Sequence, residues 1–436
     1  MRIILLLALV TALAADSPRD LARSILAELI GINTTDSEGD NTRAAEAMAK
    51  RLLAAGYPAA DVQVVVPAPK KGNLVARLRG TGGGRPILVL SHLDVVEARR
   101  SDWTLDPFTL TEKDGYFYGR GTQDIKGDGA ILVANFIRLK QEGFRPQRDL
   151  ILALTADEEG GRGPNGVQWL LGNRRDLIDA EFCVNTDAGG GQVKNGRRLL
   201  YSVQAAEKGY ETFLLRAKNP GGHSSLPVAD NAIYHLADAL MRIRDLRFPE
   251  QLNPITKAFF ERMTVIDPSA ATSDAPYYNA LRRTTCVATM LNGGHAENAL
   301  PQTAEAKVNC RLVPGDMVEN VRAVLGKTVA GTGVEIDPLS PAAPNPFSPL
   351  PGPLLERLES VVHSMWPGVP VVPVMETGGT DGKPLRVAGI HTYGMSALFI
   401  DLADIRAHGQ DERIPVASFY EGLDFNYRLL KELSKP

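Results

Sequence analysis

The stretch 119–137, GRGTQDIKGDGAILVANFI, decides how the rest of the chain is read. Glycines at 119, 121, 127 and 129 surround a carboxylate, Asp124, and residues 130–137, apart from Asn135, are apolar at adjacent as well as helical spacing. Such a run reads as a helix buried on most sides, with Asp124 on the loop just before it. A carboxylate held among glycines, where backbone approaches closely, suits a cation. A helix-capping Asp in a tight turn has the same local signature. Its company decides between the two.

Upstream, RPILVLS (85–91) is a buried-strand pattern that ends at His92-Leu93-Asp94. Downstream, DLILALT (149–155) ends at Asp157-Glu158-Glu159, and FCVN (182–185) ends at Thr186-Asp187. Ligands of an open α/β sheet collect at the carboxyl ends of its strands. Three strand ends thus each deliver an imidazole or a carboxylate, and the late polar loop RAHGQDE (406–412) adds His408.

Working outward, strands at 62–66, 73–78, 87–91, 150–155 and 182–185 alternate with helices. These include two helical segments within 17–57, the second at 42–55 with Gly56 as its stop. That alternation predicts an α/β fold with a covered, mostly parallel central sheet. The pattern changes after Glu207. A half-exposed strand (210–217), an amphipathic helix (231–243), strands at 284–291 and 305–312 and a helix at 318–329 predict an inserted α+β lid domain over 208–328. It separates two parts of a catalytic domain, 16–207 and 329–436. The second part passes a proline-rich connector (338–353), a strand (370–374) and the Gly378-Gly379-Thr380-Asp381 loop before a last helix at 415–433. A chain of 436 residues suits more than one domain.

Composition narrows the function. With 48 Lys+Arg against 51 Asp+Glu, and with neither a basic stripe nor an aromatic-rich RNA motif, nucleic acid is not an expected partner. No internal stretch is long and apolar enough to span a bilayer. The start MRIILLLALVTALAAD has the basic residue, short apolar run and small-residue end of a secretory signal. Residues 1–15 are therefore read as a signal peptide and the protein as exported, periplasmic or secreted. The three cysteines, Cys183, Cys286 and Cys310, lie in apolar strand-like runs and read as buried free thiols, with a Cys286–Cys310 bridge left open.

Two imidazoles, His92 and His408, with the carboxylates Asp124, Glu159 and Asp187, make five ligands. If Asp124 bridges, each of two zinc ions has three protein ligands and a shared water completes both. Glu158, next to a ligand, is left as the general base for that water. Asp94 is placed to orient the His92 ring.

These motifs, together with Gly119-Arg120-Gly121-Thr122 and Lys126-Gly127, resemble the di-zinc exopeptidases and deacylases of the aminoacylase, carnosinase and vacuolar carboxypeptidase family, peptidase family M20. Five separately placed motifs in order cover nearly the whole mature chain. The resemblance implies two Zn²⁺ per subunit, with Co²⁺ or Mn²⁺ as alternatives. His92, Asp124 and Asp187 hold one, and Asp124, Glu159 and His408 the other. It implies a homodimer through the lid, with His223 of Pro220-Gly221-Gly222-His223 reaching across to stabilise an oxyanion. It also implies that Asn298, Arg311 and Thr380 meet the substrate, a small peptide or an N-acyl amino acid. The expected activity is cleavage of an amide beside a free carboxylate by a carboxypeptidase or dipeptidase. Asp187, where deacylases carry Glu, leans the resemblance toward peptides. An N-acyl-amino-acid amidohydrolase is the alternative, and a non-catalytic exported binding protein is the competitor from another class.

Overall fold

A run of strands that are apolar on both faces must be covered on both faces, and the sheet built here meets that demand. The computed structural model describes residues 17–160, 163–269, 272–350 and 352–435, so the signal-peptide expectation for 1–15 lies outside the described residues. A ten-stranded sheet runs in the order Val62–Val65, Asn73–Leu78, Leu150–Thr155, Ile87–His92, Phe182–Asn185, His391–Gly394, Arg197–Glu207, Gly190–Lys194 and Phe399–Asp401. Val371–Glu376 also pairs with Arg197–Glu207. The four strands at its centre are parallel, and every residue of Ile87–His92 and Leu150–Thr155 is buried. The fold is the expected mixed α/β architecture.

Helix Lys126–Gln141 lies against the sheet and is itself covered by Pro18–Gly31 and Val416–Leu433. Every residue from Lys126 to Ile137 is buried, as its apolar run requires. Lys126 is buried too, and its Nζ donates to the main-chain oxygens of Leu29 and Ile32. The Lys126 amine adds donors at the end of helix Pro18–Gly31, where the Leu29 carbonyl also accepts from the N–H of Ile32 at 3.3 Å. The glycine-rich loop is thereby tied to the first helix.

A second, antiparallel sheet has the order Thr285–Gly293, Thr303–Leu312, Gly209–Lys218 and Val334–Pro338. Phe213, Leu215, Val308 and Cys310 face helices Ala232–Asp245 and Val318–Thr328, which supply Leu236, Ala239, Val321 and Leu325 to a separate core. Strand Val334–Pro338 lies beyond residue 328 yet belongs to this sheet. Helix Pro254–Ile266 lies within 208–328 but packs Ile255, Phe259, Phe260 and Met263 into the large core, against Val371–Glu376. Hydrophobic spacing does not mark its start. Asn253 makes a capping box with Thr256, and Pro254 follows at the first turn.

One expectation is corrected. Cys286 and Cys310 form a disulfide, and only Cys183 is a free thiol. The two residues face each other directly in the antiparallel register, which brings their Cα atoms to 4.1 Å. Among the described residues, no helix is long and apolar enough to cross a membrane.

Candidate active site

Register does the first part of the assembly. His92 pairs with Thr155 on one neighbouring strand, and Leu90 pairs with Asn185 on the other. Two residues past each strand partner, the chain therefore delivers Asp157 level with Asp94 and Asp187 level with His92. At Asp157 the backbone turns through φ +68, a left-handed conformation uncommon outside glycine. The Asp157 carboxylate is held by Lys71, which also donates to Asp36 at 2.8 Å. Past this turn, Glu158 and Glu159 stand at the mouth of the sheet.

The five expected ligands converge. His92 Nε2 lies 3.1 Å from Asp124 Oδ1 and 3.6 Å from Asp187 Oδ1. His408 Nε2 lies 3.1 Å from Asp124 Oδ2 and 3.1 Å from Glu159 Oε2. Ligand atoms of His92, Asp124 and Asp187, and likewise of Asp124, Glu159 and His408, lie within 4.8 Å of one another. The two oxygens of Asp124 thus serve different histidines, which is the arrangement a bridging carboxylate needs. Two imidazoles and three carboxylates, with Asp124 shared, are a donor set that fits a pair of zinc-like cations.

The second layer fixes which nitrogen faces inward. Nδ1 of His92 lies 3.0 Å from the main-chain oxygen of Asp94 and 3.8 Å from its carboxylate. A proton on Nδ1 meets the Asp94 oxygens, so Nε2 is the nitrogen that faces inward and would give its lone pair to a bound cation. The Asp94 carboxylate also accepts from the main-chain N–H of Glu159 at 3.0 Å. It braces one ligand strand against the next.

A cavity of about 220 Å³ is lined by Asp124, Glu158, Glu159, Asp187, Thr380 and His408. A larger cleft of about 1070 Å³ shares Glu158, Glu159 and Thr380 with it, and carries Lys208, Tyr210 and Arg311 from the lid side. The Arg311 guanidinium lies 5.5 Å from the Tyr210 ring centre. Thr380 lines both spaces, but its hydroxyl donates to Glu207 at 2.9 Å and accepts from Gly382 N–H. Its side chain is committed to shaping the loop. His223 and Asn298 stand apart from both cavities, on and beside a two-stranded ribbon whose Gly222–His223 strand is exposed and whose Ala299–Leu300 strand is half-buried. The main-chain N–H of Ser225 donates to His223 Nδ1 at 3.2 Å and Ser225 Oγ lies 2.7 Å from the same nitrogen, so the loop engages Nδ1 and not Nε2.

Residues 88–432 match the profile of peptidase family M20/M25/M40. The chain belongs to this family. A probable carboxypeptidase S-like 2 of Dictyostelium discoideum is 28% identical over 379 residues, covering 80% of this chain and 72% of that protein. The human N-fatty-acyl-amino acid synthase/hydrolase PM20D1 is 29% identical over 374 residues, covering 80% and 74%. Among solved structures, an M20 family metallo-carboxypeptidase, Sso-CP2, of Sulfolobus solfataricus superposes with a TM-score of 0.73 at 17% identity, covering 95% of this chain and 99% of that one.

The electrostatics of this M20/M25/M40 site are those of carboxylates crowded out of water. Burial and then the Asp187 carboxylate push Glu158 up to about 10. Burial raises Asp187 to about 7 and Asp381 to about 6. Burial opposes the charge on His92, yet the carboxylates of Asp187 and Asp124 outweigh it and hold the imidazole well above its ordinary value. Hydrogen bonds to Asp124 and Glu159 raise His408 to about 10. Positive charge is strongly favoured here.

Two residues without an expected role stand in the site's framework. Asp381, buried, accepts from Thr155 Oγ1 at 2.8 Å and Asn165 Nδ2 at 2.6 Å, joining a central strand to the helix start behind it. Glu207, fully buried, accepts from Arg386 at 2.5 Å and from Thr380. The sequence signal for Glu207 is a charged residue at the edge of an apolar run, and that for Asp381 is its place at the end of the Gly378-Gly379-Thr380-Asp381 loop.

Proposed function

We propose that this chain is an exported di-zinc hydrolase that cleaves an amide bond next to a free carboxylate, acting as a carboxypeptidase or dipeptidase on small peptides. The observation that carries the reading is the pair of ligand triads sharing Asp124, with Glu158 beside them at the mouth of a cleft whose far wall holds Arg311. His92, Asp124 and Asp187 would hold one zinc, and Asp124, Glu159 and His408 the other. When bound, the pair supplies Lewis-acid polarisation of the scissile carbonyl and activation of water. The charge of bound cations would offset the crowding that holds a proton on Glu158, and the carboxylate so freed would take a proton from the attacking water and pass it to the leaving amine as the C–N bond breaks. Arg311 offers a forked guanidinium for the substrate carboxylate. Asn298 and Thr380 complete the substrate wall when the lid approaches.

A homodimer through the lid belongs to this reading. Strand Thr285–Gly293 is an open sheet edge with Val287, Met290 and Leu291 more than half exposed. Helix Ala232–Asp245 beside it exposes Ile233, Tyr234 and Met241. An apolar sheet edge of this kind is a template for a second copy. His223 of that copy would stabilise the oxyanion through Nε2–H.

A second reading has its own support. The cleft that holds Arg311 is also lined by Leu171, Pro344, Pro384 and Val387, apolar groups suited to an acyl chain, and one relative is named for N-fatty-acyl amino acids. Incubating the zinc-loaded mature protein with a pool of dipeptides, longer peptides and N-acyl amino acids, followed by mass spectrometry, separates the two. Loss of dipeptides or of C-terminal residues supports the peptidase reading, and loss of acylated amino acids alone moves the assignment to amidohydrolase. No loss in any class sinks the enzymatic reading.

A further inference from the structure

Glu412 is fully buried beside the ligand loops and takes no part in the proposed chemistry. Its Oε1 accepts from the main-chain N–H groups of Gln123 at 2.7 Å and Asp124 at 3.0 Å. Its Oε2 accepts from the N–H of Gly121 at 3.0 Å and from Arg120 Nη1 at 2.6 Å. Its own carbonyl accepts from the N–H of Gly119 at 3.1 Å. Arg120 continues the tie, with Nη2 donating to the main-chain oxygen of Gly409 at 3.0 Å and the guanidinium lying 4.9 Å from the Trp103 ring centre. On the far side, Gln123 Oε1 accepts from the N–H of Arg406 at 3.0 Å.

These contacts have one geometric effect. Asp124 and His408 are 284 positions apart in sequence and sit on loops without regular structure. Such loops are normally the least ordered parts of a fold. Here the N–H groups of one loop point at a single carboxylate carried by the other. A charged acceptor gathering several N–H donors makes strong hydrogen bonds, and removing it leaves buried donors without partners.

We propose that Glu412 is a positioning residue that fixes the distance between the shared ligand Asp124 and His408 before any cation binds, with Arg120 as its counter-ion and second tie. This rests on the ligand assignment proposed above. A site built in advance does not draw on metal-binding energy to order its loops, so loss of the clamp appears as loss of metal affinity.

The test uses the full mature chain. Zinc affinity is measured by competition with a chelating indicator for the wild type and for Glu412→Gln, which keeps the shape but loses the charge and one acceptor oxygen. The clamp predicts a loss of about 10–100-fold, the range seen when outer partners of metal ligands are removed, together with an altered visible spectrum of the Co²⁺-loaded protein. Hydrogen exchange on the metal-free wild type does not depend on whether the variant folds. The amides of Gly121, Gln123 and Asp124 are expected to be protected already, before zinc is added. Unchanged zinc affinity in a folded Glu412→Gln protein, or amides that exchange freely until zinc orders them, overturns the proposal. A wild type that binds no zinc overturns the ligand assignment as well, which separates the two failures.

Discussion

His92 and His223 both belong to motifs legible in the sequence, yet the molecule treats them in opposite ways. His92 closes a central parallel strand, its side chain is 1% exposed, and its ring is held by main-chain and carboxylate partners on three sides. His223 sits on an exposed two-residue strand whose imidazole is held only by Ser225, two residues away. The floor of the site is over-determined by a large core, and the lid offers a group that has no partner role within its own cleft. A residue fixed by the core needs nothing further to act, whereas a residue fixed only locally needs another surface to meet.

The hardest strike on the floor is Glu158→Ala. Turnover is expected to fall about a thousandfold or more, as for loss of a general base, while two zinc ions remain bound by metal analysis. Substantial residual turnover would place the base elsewhere. On the lid, His223→Ala is expected to lower turnover by about 100-fold, in line with loss of an oxyanion donor. If the histidine serves a second copy, mixing the Glu158→Ala and His223→Ala proteins under conditions that exchange subunits restores activity that neither has alone. Absence of recovery would break the contrast drawn here.

Arg311 lies between the two regimes, on the lid but lining the cleft. Arg311→Met is expected to raise KM about tenfold or more with a smaller change in kcat, which steady-state kinetics with dipeptides would show. Equal losses in kcat and KM terms would argue for a role in the transition state.

The smallest effect on catalysis tests the floor's rigidity. Asp128, buried, accepts from Ala397 N–H and Ser396 Oγ at 2.7 Å, and burial pushes it up to about 7. Its native form therefore holds a proton that the unfolded chain releases above its ordinary value. Stability from this group is greatest in acid and falls as pH rises toward 7. Asp128→Asn, which mimics the protonated form, should match the wild type near pH 4 and exceed it by on the order of a few kcal/mol above pH 7, with turnover unchanged. Denaturant melts across that range would reveal it, and parallel curves for the two proteins would count against it.

Much of the floor is legible in the chain's own hydrophobic pattern. Apolar runs that end in His92, Thr155 and Asn185 carry their own instruction, because a strand buried on both faces must be apolar throughout and must stop where polar groups begin. The strands Asn73–Leu78, Leu150–Thr155 and Phe182–Asn185 coincide with the expected ranges. The hairpin of Gly190–Lys194 and Arg197–Glu207 is not legible in this way, since glycines and arginines interrupt its apolar pattern. Helix Pro254–Ile266 follows the lid's first elements in sequence, and only its packing against Val371–Glu376 assigns it to the large core.

By itself the sequence marked five candidate ligands and the strand ends near which His92, Glu159 and Asp187 stand, because hydrophobic periodicity and its interruption are local properties of the chain. The tertiary structure alone decided that Asp124 turns one oxygen to each histidine, that Glu412 gathers the amides of the loop holding Asp124, and that Cys286 faces Cys310. Each of those depends on register and on contacts between residues far apart in the chain, and no local pattern specifies which distant backbone a side chain will meet.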